Sequence, residues 1–592
     1  MIFGKHINRY YIKYSPWLLL GLVALVAVDY LQLRIPRLYQ MVINGMNDGF
    51  VMYEGVKTVF DMDFLLERIC MPMVTIIVCI CIGRFLWRLC IFGSAIKTTT
   101  GLRNRMFDHA RGLSTQYYQV NKVGNLMSLF TNDLDTVEEC FGSGFLMLFD
   151  AIFLGSLAIL KMWSMDHLLT CFALVPMALL LACSTIVGKH LGKKWRKRQA
   201  AFSSLSDFSQ ESFSGIAVIK AFVKESKELL AFKGLNKENE KANIEFTRTV
   251  TLFRIMVMLF VESVVCVILG YGGYLVWKGS FNAGQLVEFI GYFTTIVWPI
   301  MAVSELIDLT SRGKASLGRI SELLDAGVDV CDREDVTALT SPKGEIEFRS
   351  LSFRYPGGEY DVLKNVSFTI NAGENVGIVG KTGCGKTTIV DLILRTYNVP
   401  DGSIFIDGRD VNSLSIRSVR DACAYVPQDN FLFSDTIENN IAFGVDGHDL
   451  AAVRSAAAMA DVDENISAFS EGYATVLGER GVTVSGGQKQ RISIARALMR
   501  HSAILILDDS VSAVDTKTER AILANLRTTR AGKTTILIAH RISTIENMDK
   551  IIFIEDGCVE AIGSHAELYA SCDAYRRMVE LQRLEEEGGD EI

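Results

Sequence analysis

Two short stretches in the C-terminal half carry residue types and spacings that suit phosphate and metal chemistry. The first is NVGIVGKTGCGKTT, Asn375 to Thr388, in which an apolar run leads into a glycine-rich turn and a helix-compatible run. This pattern matches the G-x-x-x-x-G-K-T phosphate loop, whose backbone N–H groups surround an anion at a helix N-terminus. The predicted nucleotide-binding residues of the loop are Gly380, Thr382, Gly383, Cys384, Gly385, Lys386, Thr387 and Thr388.

The second stretch is ILILDDSVSAVDT, Ile504 to Thr516, an aliphatic run that ends in two adjacent carboxylates. An acid at the end of a buried parallel strand lies at the sheet edge where open α/β folds bind ligands. We therefore expect Asp508 to hold Mg²⁺ through water, because Mg²⁺ dehydrates reluctantly. With Lys386 at the outer phosphates and Thr387 on the metal, this acid predicts binding or hydrolysis of a nucleoside triphosphate. The two motifs leave the role of Asp509 open.

Further motifs follow in the order found in ATP-binding cassette (ABC) ATPases. VSGGQKQR, Val484 to Arg491, resembles the LSGGQ signature of that family, with Val484 in place of the usual Leu. TVLGERG, Thr475 to Gly481, resembles the segment that precedes the signature in exporters. The remaining matches are Tyr355 in FRYPG, Gln428 in YVPQDN, the D-loop SAVD from Ser512 to Asp515, and His540 in LIAHR. The motifs occur in the order and at the spacings found in ABC ATPases. The chain therefore resembles an ABC exporter half-transporter over almost its whole length.

The resemblance implies a role for each matching residue. Tyr355 would stack on adenine, Gln428 would be the Q-loop residue, and His540 would be the switch histidine. The signature would complete the ATP site of a second chain, through Ser485, Gly486, Gly487 and Gln488. The implied metal-binding residues are Thr387, Gln428 and Asp508, the implied catalytic residues are Lys386, Gln428, Asp509 and His540, and Asp515 is the D-loop acid. ATP and Mg²⁺ are the implied cofactors.

The residue that departs from the family is Asp509. A Glu usually follows the metal-binding Asp and acts as general base, and Asp is shorter by one methylene. General-base catalysis contributes roughly 10² to 10⁴-fold, so this chain's own site is expected to bind ATP and hydrolyse it slowly. Its signature, by contrast, is almost intact and would serve a partner. The resemblance therefore favours one half of a heterodimeric exporter, with a homodimer as the alternative.

The elements that must position these motifs fall into two halves of different composition. The 592 residues have a net charge of −7, are 49% hydrophobic and have a mean hydropathy of +0.26, which is too apolar for a soluble multidomain protein. Six runs reach the length of about 20 apolar residues that a membrane helix needs. These runs are 17–35, 74–92, 145–163, 168–187, 252–277 and 286–303. The predicted fold is an α-helical six-span transmembrane domain with long cytosolic helix extensions, fused to an α/β P-loop NTPase domain.

The orientation in the membrane follows from the basic residues. GKHLGKKWRKR, Gly188 to Arg198, lies in a long connection, whereas the loop from Arg37 to Cys70 carries only three Lys or Arg. The positive-inside rule therefore places the long connections and both termini in the cytosol. The 13 cysteines form no CxxC pair, which favours reduced thiols over a disulfide scaffold. The predicted location is the bacterial plasma membrane, with the ATPase domain in the cytoplasm.

The expected domain boundaries follow the composition and the resemblance together. Basic and aromatic residues before the first span predict an interfacial elbow helix. The resemblance adds two short coupling helices that transmit closure of the ATPase domains. The boundaries are 1–15 for the elbow helix, 16–310 for the transmembrane domain, 117–123 and 208–214 for the coupling helices, 311–344 for a linker, 345–582 for the nucleotide-binding domain and 583–592 for an acidic tail.

Ionisable residues inside the spans are candidates for a transport cavity, because each is costly in lipid. The candidates are Arg84, Arg88, Glu262 and Glu288, and interhelical ion pairs with Asp29 or the glutamates are the structural alternative. The predicted function is export of small amphipathic molecules, such as drugs, lipids or peptides, by an ATPase in contact with membrane lipids. An exporter-fold importer of a metal chelate and a homodimeric lipid flippase are the alternatives. The six spans argue against a nucleic-acid partner.

Overall fold

A computed structural model describes most of the chain, as two compact units. The described residues are 3–589 except Glu54, Glu479, Arg480, Val482 and Thr483, and the side chains of residues 181–186, 189, 304 and 585–589 are not described. One unit comprises Met1–Arg111 and Val123–Ala326, and the other comprises Gly112–Lys122 and Gly327–Ile592. Parts of the predicted TVLGERG segment and of the acidic tail therefore lie outside the described residues.

The described residues up to Asp325 form helices, one hairpin and the short connections between them. The helices are α1 (Asn8–Lys13), α2 (Ser15–Gln32), α3 (Ile35–Asp48), α4 (Met62–Phe64), α5 (Met71–Ala110), α6 (Thr115–Val120), α7 (Val123–Ser128), α8 (Leu134–Met165), α9 (His167–Ser214), α10 (Ile216–Ala221), α11 (Glu225–Trp277) and α12 (Ala283–Asp325). Short π-helical turns occupy Leu65–Cys70 and Leu129–Asp133. The hairpin consists of β1 (Phe50–Tyr53) and β2 (Val56–Val59), which pair antiparallel.

Five stretches of the described residues are long and apolar enough to cross a membrane. They are Ser15–Asp48, Met62–Ala110, Val123–Met165, Glu225–Trp277 and Ala283–Asp325. The fourth span expected from the sequence lies in α9, where His167–Leu180 is a shorter apolar stretch and the next six side chains are not described. The helical transmembrane domain expected from the sequence is thus confirmed.

The two longest helices of this half far exceed the length that a bilayer requires. Helix α9 has 48 residues and α11 has 53. At 1.5 Å per residue these helices are about 72 and 80 Å long, against a hydrocarbon core of about 30 Å. Each helix therefore continues for tens of ångströms beyond the membrane, which agrees with the predicted cytosolic extensions.

Three features of this half differ from the boundaries expected from the sequence. Helix α12 continues to Asp325, whereas a linker was expected from residue 311, because apolar residues at helical spacing are buried there. The short helix of the second long connection is α10, just after the range 208–214, which instead forms the end of α9. The hairpin of β1 and β2 was not expected, and Val51 on β1 is buried in a small cluster with Leu38 and Phe64.

An ion pair between Arg319 on α12 and Asp133 fixes the start of α8. Asp133 is buried, and both its carboxylate oxygens accept hydrogen bonds from the Arg319 guanidinium. Burial alone would raise the pKa of Asp133, but hydrogen bonds from Arg319 and Ser316 and the charge of Arg319 outweigh it, so the pKa is lowered. The carboxylate therefore adds stability that is present above the ordinary Asp pKa and is lost as pH falls through the lowered value.

We expect Arg319→Met to lower the free energy of unfolding by about 1.5 to 3 kcal/mol at pH 7, because a buried carboxylate loses its charged hydrogen-bond donors. The difference from wild type should shrink below about pH 4, where the unfolded chain begins to take up the proton. Thermal or denaturant unfolding of the detergent-solubilised protein at several pH values measures both effects.

The matched control is Arg312→Met, which removes an exposed i,i+4 pair with Asp308 on the same helix and an exposed pair with Glu139 on α8 at 3.9 Å. Exposed pairs of this kind contribute about 0.3 to 0.5 kcal/mol. Equal losses of stability in the two variants would contradict the assignment of a special role to the Arg319 pair.

The C-terminal half is an α/β domain. Its strands are β3 (Ile346–Phe353), β4 (Leu363–Ile370), β5 (Asn375–Gly380), β6 (Ile404–Ile406), β7 (Arg409–Asp410), β8 (Cys423–Val426), β9 (Ile504–Asp508), β10 (Thr534–Ile538), β11 (Lys550–Glu555) and β12 (Cys558–Gly563). Its helices are α13 (Lys386–Ile393), α14 (Ile416–Ala422), α15 (Ile437–Ala442), α16 (Leu450–Met459), α17 (Asp463–Ser467), α18 (Gly486–Met499), α19 (Thr516–Thr529), α20 (Ile542–Ile545), α21 (His565–Ser571) and α22 (Asp573–Gly589).

Two sheets organise this domain. The larger sheet has the order β12-β11-β5-β10-β9-β8, in which every neighbouring pair is parallel except β11 with β12. The smaller sheet has the order β4-β3-β6-β7 and is antiparallel. Strands β9 and β10 are buried along their whole length, which explains their unbroken aliphatic runs. The carboxyl ends of β5, β8, β9 and β10 consequently meet at one edge.

Candidate active site

A cavity of about 620 Å³ opens at that edge of the larger sheet. The sequence-predicted residues that line it are Tyr355, Thr382, Gly383, Gly385, Lys386, Thr387, Thr388, Gln428, Asp508 and His540. They come from the segment after β3, the phosphate loop after β5 with the start of α13, the segment after β8, the end of β9 and the segment after β10. Residues about 200 positions apart in sequence are thus brought together where open α/β sheets bind their ligands.

The phosphate loop needs glycine at positions where a side chain would not fit. Gly383 and Gly385 have φ values of +84° and +101°, which L-residues rarely adopt. A Cβ on Gly380 would clash with the carbonyl oxygen of Ile554 on β11. The Lys386 ammonium donates to the carbonyls of Gly380 at 2.8 Å and Lys381 at 2.9 Å, so the lysine is held inside the loop. Cys384, also predicted to bind nucleotide, is buried and does not line the cavity.

The side chains at the end of β9 and the start of α13 fit a magnesium ion. Asp508 is buried, and one of its carboxylate oxygens has no hydrogen-bond partner among the described residues. The Thr387 hydroxyl lies within hydrogen-bonding reach of the same carboxylate, and burial raises the pKa of Asp508. A hydroxyl and a carboxylate beside space for water are the oxygen ligands that Mg²⁺ takes at nucleotide sites. Gln428 lines the same cavity and offers an amide oxygen.

Asp509 lies beside the cavity, and its side chain is not among those that line it. Its backbone has φ +45°, and its N–H donates to the carbonyl of Ile538 on β10 at 2.9 Å. That bond ties the backbone to the neighbouring strand, while His540, two residues beyond Ile538, lines the cavity. The position expected for a general base is therefore held rigidly by a residue with a short side chain.

The aromatic residue predicted to stack on adenine contacts a second tyrosine. The Tyr355 hydroxyl is hydrogen-bonded to Thr388 at 2.8 Å, and its ring meets the Tyr397 ring edge to face at 5.1 Å. Tyr397 is buried, and its hydroxyl donates to Gln119 on α6 at 2.9 Å. The segment Gly112–Lys122, which contains α6, belongs to the same compact unit as the cavity. Helix α6, which overlaps the first predicted coupling segment, is thus linked through Tyr397 to Tyr355, the residue predicted to stack on adenine.

The signature motif forms the start of α18. Ser485 is its N-cap, with Ser485 and Gln488 forming a reciprocal capping box. The side chain of Gln490 accepts a hydrogen bond from Ala513 N–H at 3.0 Å, which links this helix to the D-loop. Asp515 caps α19 by accepting from Thr518 N–H at 3.0 Å. The signature residues do not line the cavity of their own chain, as expected for a motif that acts on a partner.

Several residues in or near the cavity were not expected from the sequence. Asp391 does not line the cavity, but it lies one helical turn after Thr387, and burial together with the charge of Asp508 raises the pKa of Asp391 to about 6. The spacing of four on a helix could have placed these two residues on one face. The missed residues that do line the cavity belong to no motif: Tyr360, Asp361, Val362, Asp556 and Gly557 lie in loops, and Lys364 lies on β4.

Among the described residues, no hydrogen bond or ion pair joins the charged residues predicted for a transport cavity to one another. Arg84, Arg88 and Glu262 are exposed, and Arg84 donates to Gln32 at 3.3 Å. Glu288 is buried and accepts a hydrogen bond from the Tyr292 hydroxyl at 2.8 Å. No ion pair within 4 Å joins Asp29 to these residues among the described ones, although Arg84 is close enough for its charge to act on Asp29.

Asp29 instead lies buried near a second acid. Asp150 on α8 is within hydrogen-bonding reach of Asp29 on α2, and it accepts from the Trp298 indole at 3.0 Å. A cavity role for the four charged residues therefore stays a prediction.

Comparisons with known proteins agree over the full length. Residues 18–300 match the ABC transporter transmembrane region, and residues 363–512 match the ABC transporter ATPase family. The chain is 36% identical to the probable multidrug resistance ABC transporter ATP-binding/permease protein YheI of Bacillus subtilis, over 99% of this chain and 98% of that protein. It is 35% identical to the multidrug resistance-like ATP-binding protein MdlA of Escherichia coli, over 96% and 94% of the two chains.

A solved structure gives the same result for the fold. The structure of a bacterial Atm1-family ABC exporter with ATP bound superposes with a TM-score of 0.75 at 26% sequence identity. The match covers 97% of this chain and 98% of the exporter chain. The similarity therefore extends over both the helical and the α/β halves.

Proposed function

The chain belongs to the ABC exporter family, and on that basis we propose that it is one half of a heterodimeric exporter with one weak and one strong ATP site. ABC exporters of this type are ATP hydrolases coupled to transport, and they act as dimers. The chain is an integral, multi-pass plasma-membrane protein with one transmembrane domain and one ATPase domain. Its ATP-driven export is of the multidrug or lipid type.

The observation that carries the asymmetric assignment is the contrast between Asp509 and the signature. Asp509 stands where the family places a glutamate base, and its backbone is tied to β10. The signature helix, by contrast, has its capping box formed and its glycines present. This chain has Asp in place of the Glu base at its own site, but its signature motif is almost intact. It would therefore complete the site of a partner chain that carries the Glu base.

MgATP is the proposed nucleotide of this chain's own site. Lys386 would hold the outer phosphates, and Thr387, Gln428 and Asp508 would hold Mg²⁺, directly or through water. Bound Mg²⁺ would neutralise charge on the phosphates as the terminal group transfers. Tyr355 would stack on adenine, and His540 would contact the γ-phosphate. With Asp509 too short to activate water, the site would retain ATP and act mainly as a structural support for the closed dimer.

The proposed substrates are small amphipathic molecules, such as drugs, lipids or peptides. The support is a shallow apolar groove on α11, lined by Leu252, Ile255, Met256, Leu259, Phe260 and Ser263. Methionine and bulky aliphatic side chains adapt to ligands of different shape, which suits a polyspecific surface. Relatives with multidrug resistance in their names point the same way.

The test is to purify the tagged chain from its native membranes and identify the chains that accompany it. We expect a second ABC half-transporter in equal amount, with Glu after its metal-binding Asp, and ATPase activity at least about tenfold above that of this chain alone. Robust turnover by this chain alone as a homodimer would contradict the heterodimer. Substrate accumulation in inside-out vesicles supports export, and the opposite direction would favour the importer alternative.

A further inference from the structure

The last helix of the chain holds the backbone around His540 from outside the cavity. The side-chain amide of Gln582 on α22 donates to the carbonyl of His540 at 2.6 Å. The same amide accepts from the N–H of Ile542 at 2.8 Å. A single side chain thus bonds the backbone on both sides of Arg541, immediately after the strand β10.

The need for such a bond follows from the short helix α20. Its N-cap, Arg541, makes no side-chain capping bond, and the first N–H groups of a helix have no acceptor within the helix. Gln582 supplies the acceptor for Ile542 from a helix 40 residues away in sequence. The segment that carries His540 is therefore capped by α22 and not by its own neighbours.

Helix α22 is itself firmly placed. Tyr575 and Val579 are buried in the core of the ATPase domain, and Gln582 follows them at helical spacing on the same face. The Tyr575 ring packs against Phe553 on β11 at 5.7 Å, and its hydroxyl is hydrogen-bonded to His565 at 2.8 Å. The position of Gln582 is thus fixed by packing that does not involve the cavity.

We propose that Gln582 is a positioning residue, which sets the distance of His540 from the γ-phosphate of ATP bound at this chain's phosphate loop. The contact between His540 and the γ-phosphate belongs to the proposed function, on which this inference rests. The two hydrogen bonds from Gln582 to the backbone on either side of Arg541 are called the clamp below. Loss of the clamp lets the His540 segment shift without altering the phosphate loop or Tyr355. Retention of ATP should then fall while retention of ADP, which has no γ-phosphate, stays the same.

The test uses Gln582→Met, which keeps the length of the side chain and removes both hydrogen bonds. The purified transporter, in lipid and with Mg²⁺, is loaded with radiolabelled 8-azido-ATP or 8-azido-ADP, diluted into unlabelled nucleotide and photolysed at intervals. The label on this chain, separated by electrophoresis, reports dissociation from its own site. We expect 8-azido-ATP to leave the variant about 2 to 10-fold faster than wild type, the effect of losing one or two neutral hydrogen bonds. The 8-azido-ADP rate should not change.

Leu581→Ala is the matched control, because Leu581 neighbours Gln582 on α22 and is 61% exposed. It should leave both dissociation rates as in wild type. The double variant His540→Ala with Gln582→Met completes the comparison, since a residue that acts only through His540 adds nothing once the imidazole is gone. The double variant should release 8-azido-ATP no faster than His540→Ala alone.

Three results would overturn the clamp. Equal acceleration of ATP and ADP release would mean that Gln582 only stabilises the domain, and an unchanged ATP rate in Gln582→Met would mean that the bonds do not position His540. Additive effects in the double variant would also exclude action through the histidine. If His540→Ala leaves ATP release unchanged, the proposed γ-phosphate contact itself is wrong. If His540→Ala speeds ATP release and Gln582→Met does not, the contact stands and only the clamp is wrong.

Discussion

Replacing Asp509 by Glu should raise the ATP turnover of this chain, purified alone, by at least about tenfold. A homodimer would pair its phosphate loop with the intact signature of a second copy, so the short base would be the missing component. General-base catalysis contributes about 10² to 10⁴-fold, and one added methylene recovers part of it if it brings the carboxylate to the attacking water. Steady-state ATPase assays in lipid nanodiscs or detergent measure the change.

The backbone geometry makes this substitution informative. The N–H of Asp509 is bonded to Ile538, so the main chain should not move when the side chain lengthens. Lys386→Ala in the same background should remove the gained activity. In the proposed heterodimer, Asp509→Asn should retain at least about half of the turnover, because the partner's base would act at the other site. Wild-type activity equal to that of Asp509→Glu, or abolition by Asp509→Asn, would contradict the weak-site assignment.

Replacing Gly486 by Ala should remove most of the ATPase activity of the assembled transporter. An added Cβ at Gly486 meets no described atom within 4 Å in its own chain, so the domain should fold normally. In the closed dimer the methyl group would stand against the partner's nucleotide and push the signature donors away from the phosphates. We expect a fall of about 10²-fold, the effect of losing one donor to the charge that develops in a transition state. Thermal unfolding should be unchanged.

The matched control for the signature is Gly444→Ala, in the same domain, where a Cβ meets only ordinary contacts near 4 Å. That variant should keep wild-type turnover. Lys386→Ala should reduce the activity of the pair less than Gly486→Ala does, since Lys386 would serve the proposed weak site. The opposite order would reverse the assignment of weak and strong sites.

Local motifs were enough to predict the ATPase domain and the centre of its site. Gly383 and Gly385 are determined by backbone conformations that only glycine adopts readily, and Asp508 ends a strand whose aliphatic run predicts burial on both faces. Such constraints act within a few residues, so a single sequence displays them. The resemblance to ABC exporters, confirmed by the family matches, placed Gln428 and His540 in the same cavity.

What the sequence did not reveal depends on contacts between distant residues. Tyr397 meets Gln119 across 278 positions, and no periodicity signals such a bond. The extension of α12 to Asp325 was missed because its polar surface resembles a linker, whereas its buried apolar residues follow a helical spacing. Gln582 lies in the charged helix α22, at the last position of the nucleotide-binding domain expected from the sequence, and no motif signals its bonds to the segment around His540.

The contact of Tyr397 with both Tyr355 and Gln119 has a consequence for signalling within the transporter. The Tyr397 side chain bridges the two regions: its ring contacts Tyr355 in the predicted adenine pocket, and its hydroxyl contacts Gln119 on α6. A purine stacked on Tyr355 would restrict the motion of the Tyr355 ring. Because Tyr397 packs against that ring, the restriction would extend through Tyr397 to Gln119. Nucleotide binding would then lower the side-chain entropy at α6 even before any phosphate bond is broken.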